Sequence, residues 1–175
     1  AAAREAIPRD KLFIAGTGAD STLHTIRRTR RAAELGADAA IVITPHYFTR
    51  AFSQPAAQIR HYLAVADASP IPILIYNFPL NTGINLDAET VARIAQHPNV
   101  VGIKDSSGNI PQAAQMIDQT PKSFHVLVGA AAALLPALPP EACFGLPPGE
   151  DGARADEGRF LVTGDDADRG AFLTP

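Results

Sequence analysis

Short apolar runs and longer polar stretches alternate along most of this chain. The apolar runs fall at residues 12–15, 39–43, 71–75, 100–103 and 125–128, each of strand length and most rich in Ile, Val or Leu. Between them the spacing turns helical. Residues 20–35 are the clearest case: Ser21 and Thr22 offer caps, Leu23, Ile26 and Leu35 share a stripe, and Gly36 stops it. Helices of the same kind are expected at 53–68, 87–96 and 110–119. Strand starts recur every 25 to 33 residues or so, the length of a βα unit. This order predicts an α/β fold built on a parallel sheet whose strands are covered on both faces.

The pattern stops near residue 138. From Pro139 to Pro175 the chain is dense in Pro, Gly and Asp, and only the short Phe160-Leu161-Val162 run interrupts it. That stretch carries eight acids against three arginines, so its net charge is −5 while the preceding body carries +2 of the total −3. The expected division is a folded domain over 1–138 and a poorly ordered tail over 139–175.

Composition narrows the partners. With 175 residues, 46% hydrophobic and 19% charged, the chain can bury one core. A pI near 5.9 gives no basic field for nucleic acid or an anionic membrane, which leaves small molecules as the expected ligands. The single cysteine, Cys143, forms no internal disulfide, and no apolar run approaches the roughly 20 residues of a membrane helix. A reducing, cytoplasmic setting fits, or a mitochondrial one if an N-terminal segment is missing. The start, AAAREAIPRDK, has no signal-peptide layout, so the chain is expected to be processed or to begin inside a longer product.

In parallel α/β folds, ligands meet the protein at the carboxyl ends of the strands, where the loops into the helices converge. Five distinctive clusters lie there: Gly16-Thr17-Gly18, Thr44-Pro45-His46-Tyr47-Phe48, residues 76–83, Lys104-Asp105-Ser106-Ser107-Gly108, and Gly129. Lys104 ends the run Val100-Val101-Gly102-Ile103, where a low-dielectric sheet edge disfavours the ammonium and favours the nucleophilic amine. Taken alone, such a lysine more often extends its charge into solvent or pairs with a neighbour such as Asp105. Tyr76, at the same rim one strand earlier, shifts that balance. A phenol can pass the protons that imine chemistry moves, although it can equally be a packing aromatic.

The other clusters read more plainly. Gly16-Thr17-Gly18 lacks a full phosphate-binding fingerprint and reads as a tight βα turn rather than an anion site. Asp105 and Ser106 read as caps of the following helix. Arg27, Arg28, Arg30 and Arg31 read as a solvated face in which Arg30 pairs with Glu34. The histidines at 24, 46, 61, 97 and 125 show no metal-ligand spacing.

The strings TPHYF, IYNFPLNTG and VVGIKDSSGN, in that order, resemble the dihydrodipicolinate synthase and N-acetylneuraminate lyase family of class I aldolases. The likeness runs from about Leu12 to Leu138. It implies a (β/α)8 TIM barrel, present here as an incomplete one of about five βα units, with no metal or organic cofactor and a pyruvate-like 2-keto acid as substrate. By this resemblance Lys104 forms the Schiff base, Tyr76 relays protons, Tyr47 reaches into a neighbouring subunit's site, and Gly129 faces the substrate. The family also implies a homo-oligomer, a homotetramer.

Asn81 stands where dihydrodipicolinate synthases usually carry an arginine that holds a substrate carboxylate, and an amide cannot replace a guanidinium fork. The resemblance therefore points first to the 4-hydroxy-2-oxoglutarate aldolase branch, with dihydrodipicolinate synthase as the alternative. A reading of another class is a non-catalytic, truncated portion of the fold. The family's first two strands, with their carboxylate-binding loop, are expected before Lys11 and its eighth strand after Leu138. Neither is evident, which leaves an exposed barrel flank and unpaired edges that invite aggregation unless partner chains cover them.

Overall fold

The computed structural model describes residues 2–129 and the backbone of Phe160–Val162. The elements are α1 (Ala2–Ala6), β1 (Ile14–Gly16), α2 (Thr22–Glu34), β2 (Ala39–Ile43), α3 (Thr49–Phe52), α4 (Pro55–Ala68), β3 (Ile73–Asn77), α5 (Pro79–Thr82), α6 (Ala88–Ile94), β4 (Val100–Asp105), α7 (Ile110–Gln119), β5 (His125–Val128) and β6 (Phe160–Val162). The strands pair in parallel in sequential order, β1-β2-β3-β4-β5-β6. Right-handed crossovers that always step the same way place the connecting helices α2, α4, α6 and α7 on one side of the sheet. Neighbouring helices pack in the same order, α2 on α4, α4 on α6 and α6 on α7. This is a sector of a (β/α) barrel, and it refines the expectation of a sheet covered on both faces: among the described residues, α2, α4, α6 and α7 cover one face, the outer one.

The five expected strands and four principal helices are all present. β6 is an addition: the Phe160-Leu161-Val162 run pairs with β5 through Val126↔Phe160, Leu127↔Leu161 and Val128↔Val162. The rest of the expected tail, and the boundary expected at 138/139, lie outside the described residues.

Strand alternation decides what each face does. On the helix side Ala40, Val42, Ile73, Ile75, Ile103 and Val126 are all 0% exposed and pack against Tyr62 and Val65 of α4, Val91 and Ile94 of α6, and Met116 of α7. On the concave side Ile41, Ile43, Tyr76 and Lys104 are half-buried. β3 and β4 do not pair evenly. Ile73 partners Val100 but Leu74 partners Gly102, so Val101 is an extra residue, a β-bulge. Gly102, just beyond it, approaches β5 so closely that a Cβ there would lie 2.5 Å from the His125 carbonyl oxygen.

Several local expectations change. Ser21 caps α2 by accepting from the His24 N–H, and Gly36 closes that helix at φ 84°. The buried stripe of α2, however, is Thr25 and Thr29, while Leu23 is 56% exposed. The threonines bury because their hydroxyls find partners, Thr29 with Thr17 at 2.8 Å and Thr25 with the Ala19 carbonyl at 3.3 Å. Arg30 does not pair with Glu34. Its Nε donates to the Ala68 carbonyl at 3.1 Å, and Arg31 takes Glu34 at 2.9 Å. α1, which the hydrophobic pattern does not announce, is tied down by Arg4, whose guanidinium meets Asp38 at 2.9 Å.

Candidate active site

The bulge at Val101 sets the site. Counting evenly from Ile73↔Val100 would bring Tyr76 opposite Ile103; with the extra residue, Tyr76 pairs with Lys104 and Asn77 with Asp105. Lys104 and Tyr76 thus point together into the concave face, where the Lys104 Nζ lies 4.9 Å from the centroid of the Tyr76 ring. That ring stacks on Phe78 at 5.6 Å and an interplanar angle of 23°. The amine therefore sits over an aromatic face whose tilt is fixed from the other side, a geometry that is attractive for the cation and also holds the phenol near it.

Pairing of Lys104 with Asp105 does not occur. Asp105 is 3% exposed, faces the helices, and spends its carboxylate oxygens on Asn77 and Ser107, at 2.8 and 2.7 Å. Among the described residues Lys104 makes no ion pair, which leaves its amine available on the concave side. Nor do Asp105 and Ser106 cap α7. Asn109 does so, accepting from the Gln112 N–H at 3.1 Å. Ser106 shares the face of Lys104, since its backbone N–H is held by the Asn77 carbonyl at 2.8 Å as the strand continues.

Gly129 completes this corner. A Cβ at that position would lie 2.6 Å from the Cε of Lys104 and would collide with the Ser106 hydroxyl. A larger residue here would have to displace the Lys104 stem and the Ser106 hydroxyl, so glycine leaves the lysine where it stands. Tyr76, Lys104 and Gly129 are thus brought together as expected. Tyr47 and Asn81 are not part of this cluster's contacts: Tyr47 is 76% exposed and touches Phe48 edge-on at 5.0 Å, and Asn81 is exposed on α5.

Asp20 is a residue the sequence reading passed over. Its Oδ1 accepts from the backbone N–H groups of His46 and Tyr47, at 3.4 and 3.1 Å, and so fixes the β2–α3 loop that displays Tyr47. Gly18 belongs to the same packing: a Cβ there would lie 2.8 Å from the Ile43 nitrogen, and rather than the tight turn expected, the Gly16-Thr17-Gly18 segment continues the β1 ladder, with the Thr17 N–H donating to the Ile41 carbonyl at 3.1 Å. Nothing about its sequence spacing reveals Asp20, because its partners lie 26 and 27 residues on.

Residues 3–141 match the dihydrodipicolinate synthetase family. The chain belongs to that family. The curated relatives include a 4-hydroxy-tetrahydrodipicolinate synthase of an Exiguobacterium species, 46% identical over 127 residues covering 73% of this chain and 42% of that protein. Another of the same name, from Listeria welshimeri, is 41% identical over 129 residues, 72% of this chain and 42% of that one. Among solved structures, a chloride-inhibited dihydrodipicolinate synthase from Acinetobacter baumannii complexed with pyruvate has 40% identity and a TM-score of 0.65, over 69% of this chain and 40% of that chain. The chain thus spans about 42% of the length of the relatives it matches. Their shared name favours the synthase alternative over the 4-hydroxy-2-oxoglutarate aldolase branch. That first preference rested on Asn81 together with the TPHYF and NTG strings, and those few positions weigh less than likeness along 127 residues.

Proposed function

We propose that this chain carries the imine-forming wall of a 4-hydroxy-tetrahydrodipicolinate synthase-type lyase. The amine of Lys104 attacks the keto carbon of pyruvate or a related 2-keto acid, water leaves, and the resulting iminium withdraws electrons from the adjoining carbon so that a carbon–carbon bond can form there. Tyr76 supplies the proton that converts the carbinolamine hydroxyl into water and takes protons back in the later steps. The carrying observation is the Lys104 amine standing 4.9 Å over the Tyr76 ring with no described carboxylate engaging it. Gly129 forms the floor beneath the lysine stem, and Asn81 faces the incoming substrate from α5. The exposure of Tyr47 supports a role in the site of a neighbouring copy, in keeping with the homo-oligomer the family implies.

The test is reductive trapping. Pyruvate and borohydride added to the folded chain are expected to leave a stable adduct, mapped by peptide mass to Lys104 and lost in Lys104→Ala. A folded sample that takes up no label at Lys104 would overturn the imine reading and favour a non-catalytic portion of the fold.

A further inference from the structure

Behind the Lys104–Tyr76 pair, on the opposite face of the same two strands, lies a second pair in the next register position. Asn77 is 0% and Asp105 3% exposed, and the Asn77 Nδ2 donates to the Asp105 Oδ1 at 2.8 Å. Asp105 also accepts from the hydroxyl of Ser107 at 2.7 Å and from its N–H at 3.3 Å. Asn77 reaches the other way. Its Oδ1 accepts from the Leu86 N–H at 3.1 Å and its Nδ2 also donates to Asn85 at 2.9 Å, while Asn85 donates to Gln112 at 2.7 Å. The Asp105 carbonyl meanwhile accepts from the Gly129 N–H at 2.9 Å. The ends of β3, β4 and β5 and the starts of α6 and α7 therefore converge on Asn77 and Asp105.

Such a network, buried and satisfied, has few alternative arrangements, because breaking any link strands a polar group away from water. We infer that Asn77 and Asp105 are positioning residues, a clamp on the helix side that sets the spacing of Tyr76 and Lys104 on the other. The two side chains that do the chemistry are each one residue away from a side chain of the clamp. A shift of strand register or tilt at Asn77 and Asp105 moves both reacting groups at once, and a misplacement near 1 Å is enough to cost on the order of 10²-fold in rate.

The spacing can be read without any keto acid. The chain has three lysines, Lys11, Lys104 and Lys122, so reductive 13C-methylation yields few signals. The Lys104 methyls, held over the Tyr76 ring, are expected to resonate apart from the other two, an offset lost in Tyr76→Leu. Asp105→Asn and Asn77→Ala are expected to move that resonance toward the exposed-lysine position. The exchanged pair, Asn77→Asp with Asp105→Asn, restores a donor facing an acceptor and is expected to move it back. Ser107→Ala removes one link only and, should the stronger variants lose their fold, is expected to give a smaller shift of the same sign. Folded variants whose Lys104 signal stays unmoved would overturn the clamp.

The kinetic arm rests on the imine reading proposed above. Pyruvate trapping in Asp105→Asn is expected to slow on the order of 10²-fold at unchanged half-saturating pyruvate and to recover in the exchanged pair. A purely stabilising role would instead lower the melting temperature and leave the trapping rate of the folded fraction intact, which would also overturn the clamp. If the parent chain takes no label, the imine reading fails while the methyl resonance still decides the clamp.

Discussion

The two faces of this sheet are made from the same strands and differ in almost everything else. Toward the helices, β2, β3 and β4 present Ala40, Val42, Ile73, Ile75 and Ile103, all without exposed surface. Toward the concave side the alternate residues of the same strands, Ile41, Ile43, Tyr76 and Lys104, stay half-buried. Stability comes from the first face, since removing apolar area from water is the main favourable contribution to folding. The second keeps an amine and a phenol within reach of a small molecule, which full burial would prevent. Period-2 alternation thus lets one stretch of backbone satisfy two demands that conflict at any single position.

That contrast can be broken from either side. The largest effect is expected from Tyr76→Phe, which keeps the ring over which Lys104 lies but removes the hydroxyl. Imine trapping should slow by about 10²- to 10⁴-fold, the usual worth of a positioned acid–base group, with an unchanged melting temperature. Ile75→Ala acts on the opposite face and should do the reverse. It is expected to cost about 2–5 kcal/mol in denaturant unfolding while the folded fraction traps pyruvate at the parent rate. Loss of trapping at full stability in Ile75→Ala would show that the faces are not separable.

A subtler test concerns His61 on α4, which is 2% exposed, accepts or donates at 2.9 Å to Thr22 through Nδ1, and packs edge-on against Phe52 and Tyr62. Burial lowers its pKa from 6.5 to about 4. Between those values the unfolded chain binds a proton that the folded chain refuses, so stability is fully present above pH 6.5 and is lost as the pH falls toward 4. The loss is at most about 3 kcal/mol. Urea midpoints measured across that window should fall in the parent and stay flatter in His61→Gln.

Much of the helix-side face was legible in the sequence because it is written in runs. β2 and β5 coincide with apolar stretches of strand length, and α7 with a helical one. Lys104, Tyr76 and Gly129 were legible as strand-end residues and through ordered motifs. What escaped notice depends on partners distant along the chain. Leu23 looked like a core residue because it is apolar, yet Thr25 and Thr29 took the buried stripe once their hydroxyls were paired across helix and strand. Asp105 read as a cap because acids before helices usually are; its actual partner, Asn77, lies 28 residues earlier. Asp20 was silent for the same reason, and the short helices α3 and α5 contain too few residues to show a period.

The bulge at Val101 sets the six residues of β4, Val100–Asp105, against the five of β3, Ile73–Asn77. Flattening the bulge with Val101 retained would put Tyr76 opposite Ile103 and turn the lysine toward the helices, whereas deleting Val101 would leave Leu74 opposite Gly102 and Tyr76 opposite Lys104 in an even ladder. The face on which Lys104 emerges is therefore stored in a local irregularity of the backbone, and what must be kept is the bulge whenever the extra residue is kept.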